Sequence, residues 1–360
     1  MKVAIVHDWL VTNAGAEKVL RSIVNLYPDA DIFSLVDFMS DEERNIIIDG
    51  KKVHTSFIQK LPYAKKQFRN YLPLFPKAIE SFNLSAYDLI ISSSWAVAKG
   101  VKKTPDQLHI CYCHTPIRYA WDLYDEYTKD LPWLKKIVVK NILKYIKKWD
   151  LGSIDRVDYF IANSKFVQAR IKRIYNREST VIYPPINIDA FRLNEHKEHF
   201  YFTASRLVPY KKTKLIVQAF NEMPDRELIV IGSGEELPNI QKIAKNNIKI
   251  LGYQSDETLI ATMQMAKAFV YAAIEDFGII PIEAMSCGTP VIALDEGGTK
   301  ETIIDQKTGV HFPKQTIASI IDAVQKFEQL DFNPREIHQE AMKYTHFEAE
   351  LRAFITKGEV

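Results

Sequence analysis

Two glutamates on either side of a glycine mark the stretch of this sequence best suited to chemistry. Glu275 and Glu283 are separated by seven residues that include Gly278. An apolar run at 268–272 predicts a strand before this stretch, and Pro281 predicts that a helix begins near it, with Glu283 in the first turn. A glycine loop at a helix N-terminus lets backbone N–H groups approach an anion. We therefore predict a phosphate site here; the alternative is that both acids only cap and solvate the helix start.

Basic side chains follow the strand predicted at 200–205. Arg206, Lys211 and Lys212 precede a helix, and cations in this position are expected where a diphosphate is bound and its leaving charge is neutralised. Either lysine can point inward from this loop. Gly232 opens a second glycine loop after the strand predicted at 228–231.

A histidine follows another buried strand in the first half of the chain. The apolar run at 108–113 ends at His114, and Arg118 lies four residues further on. Open α/β folds bind ligands at the carboxyl ends of parallel strands, so His114 is a candidate site residue. A lone histidine is more often a satisfied structural residue.

Composition predicts two α/β domains. With 360 residues and 47% hydrophobic content, the chain can build two cores, and buried strands alternate with helices twice over. Tandem prolines at 184–185 separate the two series. A dinucleotide fingerprint is absent, because the first turn has only Gly15 and the loop at Gly232 has Leu237 where a third glycine would fall. An NAD enzyme is therefore the least favoured class.

Charge is distributed unevenly along the chain. Up to Pro184 there are 28 Lys and Arg against 20 Asp and Glu, and beyond it 19 against 25, so the two parts carry about +8 and −6. A basic first half favours an anionic partner such as a phospholipid surface, with nucleic acid as the alternative. Three cysteines make neither a disulfide framework nor a four-ligand zinc site. Without a signal peptide or a membrane-spanning apolar run, we expect a cytoplasmic protein.

Two basic segments of the first half are candidates for contact with a membrane. Lys51–Lys77 interleaves lysines with aromatic residues, and Trp133–Trp149 has the pattern of an amphipathic helix. Its lysines at spacing four share one face, and its apolar residues another; these are Lys136, Lys140, Lys144 and Lys148 against Leu134, Val138, Ile142, Tyr145 and Trp149. We predict peripheral association with the inner face of the plasma membrane and no nucleic-acid partner. The alternative is that the apolar residues pack on the sheet while the lysines face water.

The string EDFG-IIPIE-AMSCGTPVIA, with a following GG, resembles the donor site of the retaining glycosyltransferases of family four. SRLVPYKK and CHTPIRYAWD resemble the same family, the second particularly its bacterial mannosyltransferases. The resemblance implies the GT-B fold, an α/β fold of two Rossmann-like, doubly wound domains facing each other across a cleft. It divides the chain into an acceptor-side domain at 1–184, a donor domain at 185–340 and a helix at 341–360 that crosses back to the first domain.

The resemblance also implies roles for individual residues. Arg206 and Lys211, the lysine that aligns best, stabilise the leaving diphosphate, Glu275 holds sugar hydroxyls, and Glu283 accepts a hydrogen bond from the ribose. His114 faces the reacting sugar and diphosphate, and Arg118 holds a phosphate of the acceptor. The remaining donor-binding residues are Gly15, Gly232, Tyr253, Phe277, Gly278 and Ile279. The family has a GGAE-like turn where this chain has Ala14 before Gly15, which leaves one glycine to approach a phosphate.

The activity implied is transfer of a hexose from a nucleotide sugar, with retention of configuration and without a metal or other cofactor. Similarity to mannosyltransferases favours mannose from GDP-mannose, and a lipid-linked or polysaccharide glycan as acceptor. Three alternatives stay open: a transferase that uses a UDP-sugar, a nucleotide-sugar isomerase or epimerase of the same fold, and a non-catalytic membrane or nucleic-acid binding protein. An isomerase needs no acceptor, and a binding protein does not need Glu275, Glu283, Arg206 and Lys211 together.

Overall fold

The chain folds into two compact units, each built on one parallel sheet. The computed structural model describes residues 1–122 and 132–358. The first unit comprises Met1–Pro185 and Phe347–Val360, and the second comprises Ile186–His346. The prediction of two doubly wound α/β domains is confirmed by these two sheets.

The sheet of the first unit has seven parallel strands in the order β3-β2-β1-β4-β5-β6-β7. They are β1 (Val3–His7), β2 (Asp31–Ser34), β3 (Val53–Thr55), β4 (Leu89–Ser94), β5 (Leu108–Cys113), β6 (Tyr159–Ala162) and β7 (Ser179–Val181). Its helices are α1 (Gly15–Leu26), α2 (Asp41–Ile48), α3 (Ala64–Gln67), α4 (Phe75–Ile79), α5 (Arg118–Trp121), α6 (Trp133–Gly152) and α7 (Lys165–Tyr175). A last helix, Phe347–Gly358, also belongs to this unit.

The sheet of the second unit has six parallel strands in the order β10-β9-β8-β11-β12-β13. They are β8 (Tyr201–Ala204), β9 (Leu228–Ile231), β10 (Ile248–Gly252), β11 (Ala268–Tyr271), β12 (Val291–Leu294) and β13 (Gly309–Phe312). The helices are α8 (Thr213–Asn221), α9 (Leu237–Ile243), α10 (Asp256–Met265), α11 (Ile279–Ser286), α12 (Thr299–Thr302), α13 (Ile317–Phe327) and α14 (Pro334–Ala341). The final helix of the chain, Phe347–Gly358, is α15.

The central strands are buried almost along their whole length because helices cover both faces of each sheet. All residues of β1, β11 and β12 are buried. Helix α1 places Val19, Leu20 and Ile23 in the core of the first unit, following a helical period. Helix α15 adds Phe347, Leu351 and Ile355 to that core, so residues from both ends of the chain sequence pack together.

Each sheet reverses its strand order at one point, and the predicted site residues follow the strands around it. In the first unit the reversal lies between β1 and β4, and in the second between β8 and β11. Loops leave the sheet on opposite faces there, so the carboxyl ends of the two strands border a crevice. His114 follows β5, Arg206 follows β8 and Glu275 follows β11.

The predicted start of helix α11 was wrong, and the apolar face predicted for α6 packs only in part. Helix α11 begins at Ile279, two residues before Pro281, because Gly278 caps it with a left-handed φ of 88°. Glu283 therefore lies in the second turn. In α6, Ile142 and Trp149 of that face pack on the protein beside the buried Leu143 and Ile146. Leu134 and Val138 of the same face are 60% and 58% exposed.

The C-terminal half of α6 is anchored by a buried carboxylate. Asp150 pairs with the ammonium of Lys99 and accepts hydrogen bonds from Trp121 Nε1 at 2.8 Å and from the Tyr175 hydroxyl. Both members of the ion pair are buried, so loss of either would leave an uncompensated charge. The anchor holds one half of α6 against Lys99, Trp121 and Tyr175, and the other half is exposed.

Within the described residues, 1–122 and 132–358, no helix combines the length and apolar character needed to cross a membrane.

Candidate functional site

Lys211, Tyr271 and Glu275 form a hydrogen-bonded triangle in the second unit. Lys211 ends a 3-10 turn after β8, Tyr271 is the last residue of β11, and Glu275 lies in the loop that follows. The Lys211 ammonium donates to the Glu275 carboxylate and to the Tyr271 hydroxyl, the latter at 3.2 Å. The Tyr271 hydroxyl donates to Glu275 Oε1 at 3.1 Å. The structure thus brings two residues of the predicted site into contact and adds a third, Tyr271.

Electrostatics keep this lysine charged. Burial lowers the pKa of Lys211, but neighbouring Tyr271 and Glu275 outweigh that effect and hold the pKa above its ordinary value. Burial raises the pKa of Tyr271, and the charge of Glu275 raises it further. An ammonium has three N–H donors, and this triangle uses two of them. Lys211 can therefore offer one charged donor to an anionic ligand while Glu275 holds it in place.

The other basic residues of the loop differ in position. Lys212 has a left-handed φ of 58° and caps helix α8. Arg206 is exposed; its Nη2 donates to the Tyr210 hydroxyl at 2.5 Å, and its guanidinium lies 6.0 Å from the centre of that ring. Lys211 is therefore the lysine that reaches Glu275, and Arg206 lies in the same loop with its guanidinium accessible to a ligand.

Glycines allow the loops of the second unit to approach one another. The Gly298 N–H donates to the Glu275 carbonyl at 2.8 Å, and a Cβ on Gly297 would lie 2.5 Å from the same oxygen. Likewise, a Cβ on Gly232 would lie 1.9 Å from the Ser205 carbonyl oxygen, and one on Gly234 would lie 2.3 Å from that of Leu207. Glycine is thus required where one loop positions Glu275 and another positions Arg206.

The remaining predicted donor residues lie around α11 and β10. Phe277 is buried, with its ring centre 5.8 Å from that of Tyr344. Gly278 caps α11, Ile279 is its first residue and is half-buried, and Glu283 within it is 4% exposed. Tyr253 follows β10 and is 79% exposed. The structure therefore clusters Phe277, Gly278 and Ile279 next to Glu275, while Tyr253 stands on the surface.

In the first unit, His114 lies at the carboxyl end of β5 next to the end of β4. Its Nε2 is 2.8 Å from Ser93 Oγ. Burial lowers the pKa of His114 to about 3, with a smaller contribution from the charge of His7, so the imidazole is neutral near pH 7. Arg118 begins the short helix α5, and Gly15 begins α1.

Sequence reasoning missed a carboxylate that organises this edge of the sheet. Asp8 directly follows β1, and its two oxygens accept four backbone N–H groups, from Trp95, Ala96, Val97 and Ala98, at 2.6–2.8 Å. Burial raises the pKa of the Asp8 carboxyl, while these bonds oppose the rise. The polar pair His7-Asp8 at the end of an apolar run was the available signal, since such residues lie at the ligand-binding edge of a parallel sheet.

A metal centre has no clear place among the residues that the structure describes. No group of three or more His, Cys, Asp or Glu side chains there is arranged to hold a metal ion. Asp31, which with Asp29 spells a DxD sequence, begins β2 and accepts a hydrogen bond from the Tyr87 hydroxyl at 2.7 Å.

Comparison with protein families gives two matches in chain order. Residues 15–190 match the model described as Glycosyltransferase Family 4, and residues 186–345 match the one described as Glycosyl transferases group 1. The two matches together run from α1 to the end of the second unit.

Curated relatives include transferases that use GDP-mannose. A GDP-mannose-dependent monoacylated alpha-(1-6)-phosphatidylinositol monomannoside mannosyltransferase of Corynebacterium glutamicum is 30% identical over 41% of this chain and 42% of its own length. The O-antigen chain mannosyltransferase RfbU of Salmonella typhimurium is 26% identical over 68% of this chain and 71% of its own. A D-inositol 3-phosphate glycosyltransferase of Mycobacteroides abscessus is 26% identical over 48% and 44%. The chain spans about half the length of the Corynebacterium and Mycobacteroides relatives and 71% of RfbU.

Solved structures share the fold. Anabaena HepE in complex with UDP and glucose has a TM-score of 0.70 at 17% identity, covering 99% of this chain and 100% of that one. Sucrose-phosphate synthase from Thermosynechococcus elongatus has a TM-score of 0.73 at 15% identity, covering 99% of both chains.

The close approach of the two loops predicts the effect of a methyl group at Gly297. Gly297→Ala should lower the free energy of unfolding more than Gly252→Ala does, although both glycines have similar left-handed φ angles, 77° and 69°. The difference arises because a Cβ at Gly297 meets the Glu275 backbone, whereas nothing lies within 4 Å of one at Gly252. We expect an extra loss of about 1–3 kcal/mol, the range for overpacking, measured by urea unfolding.

Gly252→Ala is the matched control, since it carries the conformational strain without the collision. Equal losses in the two variants would show that the loop of Glu275 does not depend on the missing Cβ.

Proposed function

The chain belongs to the glycosyltransferases, and we propose that it transfers a hexose from a nucleotide sugar to a glycan acceptor with retention of configuration. Its two parallel-sheet units are those of the GT-B fold. The observation that carries the proposal is the triangle of Lys211, Tyr271 and Glu275 at the carboxyl edge of the second sheet.

Charge at this triangle suits a diphosphate leaving group. Breaking the bond between the sugar and the diphosphate leaves negative charge on a phosphate oxygen, and fixed cations nearby stabilise that charge. Lys211 is held protonated by its neighbours, and Arg206 lies in the same loop. Glu275 keeps the lysine in place and offers carboxylate oxygen to sugar hydroxyls. We assign the ribose contact to Glu283, and diphosphate and sugar contacts to the loop of Phe277, Gly278 and Ile279.

The proposed reaction proceeds on the face from which the diphosphate leaves. The acceptor hydroxyl forms a bond to the anomeric carbon as the carbon–oxygen bond to phosphate breaks, and the departing phosphate takes the hydroxyl proton. Lys211 and Arg206 supply the positive charge, so no metal takes part in this proposal. In the first unit, we assign His114 to the sugar, Gly15 to a phosphate and Arg118 to a phosphate of the acceptor.

GDP-mannose is the donor we favour. The Corynebacterium relative and a Mycolicibacterium smegmatis relative, the latter 32% identical over 33% of this chain, are named as GDP-mannose-dependent mannosyltransferases. RfbU is named as an O-antigen chain mannosyltransferase, which supports a lipid-linked or polysaccharide glycan as acceptor. The alternative donor is a UDP-sugar, since HepE shares the fold and binds UDP and glucose. A nucleotide-sugar isomerase or epimerase is the alternative activity.

A membrane surface is the partner that we propose for the first unit. The exposed half of α6 carries Trp133, Leu134, Ile137 and Val138 among exposed lysines. The second basic segment lies beside it, because Leu72 of Lys51–Lys77 packs on the cluster that contains Leu143 and Ile146. Apolar side chains among lysines suit the headgroup region of an anionic bilayer. Such contact would hold the protein on the inner face of the plasma membrane.

Nucleotide binding tests the donor assignment. We expect GDP to raise the melting temperature more than UDP or ADP at equal concentration. A nucleotide that binds only the folded protein at about a hundred times its dissociation constant adds roughly 2.7 kcal/mol to the free energy of unfolding. Differential scanning fluorimetry measures the shift. A larger shift with UDP would replace GDP-mannose by a UDP-sugar and leave the family assignment intact.

Transfer kinetics test the role of the basic loop. Lys211→Ala and Arg206→Ala should each lower kcat by about two to three orders of magnitude, the scale of removing one preorganised charge partner. Product formation from GDP-mannose and a glycan acceptor is the measurement, with circular dichroism to confirm folding.

Lys212→Ala is the matched control for these two variants. It removes a lysine from the same loop at the position that caps α8, so its activity should stay within about twofold of wild type. Full activity in folded Lys211→Ala, together with loss of turnover on adding EDTA, would replace this mechanism by a metal-dependent one.

Vesicle binding tests the membrane surface. Replacing Lys136, Lys140, Lys144 and Lys148 by glutamate should abolish sedimentation with anionic vesicles, because each lysine near such a surface contributes about 1 kcal/mol. Transfer to a soluble acceptor should persist, since these lysines are exposed and distant in sequence from the basic loop.

The control for the vesicle assay replaces four exposed lysines of the second unit by glutamate, namely Lys242, Lys245, Lys307 and Lys314. Net charge changes equally in both variants, so only a specific surface distinguishes them. Equal loss of binding in both would indicate a nonspecific charge effect, and undiminished binding of the α6 variant would exclude the helix.

A further inference from the structure

A chain of buried polar side chains connects the first turn of α1 to His114. His7 Nδ1 lies 3.1 Å from Ser93 Oγ, and Ser93 Oγ lies 2.8 Å from His114 Nε2. On its other side, His7 Nε2 lies 3.7 Å from Glu17 Oε1, while Glu17 Oε2 accepts the N–H of Ala14 at 3.1 Å. His7, Glu17 and Ser93 are all buried. Four segments therefore meet in one line of contacts: α1 and the ends of β1, β4 and β5.

The charge of Glu17 determines which group donates in each hydrogen bond between His7 and His114. His7 Nε2 makes no hydrogen bond within the described residues, and the acceptor nearest to it is the Glu17 carboxylate at 3.7 Å. When the ring carries a single N–H, that negative charge favours the proton on Nε2. Nδ1 of His7 is then an acceptor, and the Ser93 hydroxyl donates to it. Because Ser93 has a single O–H, its oxygen must accept from His114, which places the His114 proton on Nε2.

His114 has one ring nitrogen left for a ligand. Its imidazole is neutral near pH 7, because burial, and then the charge of His7, lowers the pKa to about 3. The single proton is shared with Ser93, so Nδ1 carries a lone pair. Within the described parts of the chain Nδ1 makes no hydrogen bond, and His114 is only partly buried.

Aromatic packing holds both imidazoles in the orientation that the chain needs. The Trp95 ring meets His7 edge-on with centres 4.8 Å apart, and meets His114 in the same manner at 5.7 Å. Tyr112 contacts the His114 ring at 5.1 Å. Rotation of either imidazole would have to displace one of these rings, which a close-packed interior resists.

We propose that Glu17, His7 and Ser93 are positioning residues that keep the His114 proton on Nε2, so that Nδ1 accepts a hydrogen bond from a hydroxyl of the bound sugar. The role in catalysis rests on the function proposed above for His114. Glu17 also binds the backbone at Ala14, next to Gly15, so the same carboxylate fixes the turn proposed to approach a phosphate. His114 and the turn at Gly15, which are far apart in the sequence, therefore both depend on the buried carboxylate of Glu17.

Nitrogen NMR of histidine-labelled protein tests the position of the proton without any substrate. Long-range proton–nitrogen spectra distinguish the two neutral tautomers, and the His114 signal is identified by its loss in His114→Gln. We expect the proton on Nε2 in the wild type. A proton on Nδ1 would overturn the proposal, whatever the enzyme transfers.

In Ser93→Ala the His114 proton should no longer be held on Nε2. We expect kcat to fall by about tenfold, the scale of one hydrogen bond, with little change in KM for the acceptor. Ser92→Ala is the matched control, because the Ser92 hydroxyl makes an equivalent 2.8 Å contact with His109 Nε2 on the same strand but outside the chain to His114. Stability should fall similarly in both variants, whereas the tautomer and kcat should change in Ser93→Ala alone.

Glu17→Gln provides a second variant in case Ser93→Ala does not fold. Glutamine can still accept the Ala14 N–H but lacks the charge beside His7, so the His114 spectrum should shift toward the other tautomer. Spectra of Glu17→Gln and Ser93→Ala identical to those of wild type would overturn the proposal. Absence of any nucleotide-sugar turnover in wild type would instead contradict the proposed function and leave the tautomer result standing.

Discussion

The carboxylate of Asp8 fixes the edge of the first sheet on which the candidate residues of that unit depend. Four backbone N–H groups converge on its two oxygens and tie the end of β1 to the turn after β4. A buried carboxylate is tolerated only when such donors compensate its desolvation. Because Trp95 supplies one of the four donors, the bonds that satisfy Asp8 also place the indole ring that contacts His7 and His114. The backbone hydrogen bonds that Asp8 accepts therefore also fix the side chains around His7 and His114.

In the second unit, the corresponding edge of the sheet depends on glycines, whose missing side chains let loops pack closely. Gly232 and Gly234 let one loop lie against the backbone of residues 205–207, and Gly297 and Gly298 let another lie against residues 275–277. Backbone contact between loops leaves little freedom for the residues that they carry. Lys211 and Glu275 consequently meet as a hydrogen-bonded ion pair, with Tyr271 closing the triangle from the end of its strand.

Sequence alone predicted the two sheets and placed Lys211 and Glu275 after strands of the second one, because each of these predictions rests on a local signal. Buried parallel strands are continuous apolar runs, and the residues that follow them lie at the edge where ligands bind. The contacts of Asp8 with 95–98 and of His7 with Ser93 span more than 80 residues, and no local pattern encodes such pairs. The apolar face of α6 read from the sequence is covered only in part, at Ile142 and Trp149, and the tertiary structure is needed to show that Leu143 and Ile146 are the fully covered residues. Helix α11 starts two residues before its proline because Gly278 adopts a left-handed conformation and serves as the N-cap.

Helix α15 makes the first unit discontinuous in sequence, and this has a consequence for synthesis of the chain. Phe347, Leu351 and Ile355 pack with α1 and the central strands, and Phe347 meets the Tyr112 ring at 5.5 Å. A ribosome delivers residues in order, so the segment up to Pro185 emerges early yet waits for these three side chains before its core is complete. Residues 186–346 are contiguous and can finish folding while the earlier unit still exposes an apolar seam. The first unit is therefore the first to emerge and the last to be completed, and the apolar residues that α15 covers stay exposed in the interval.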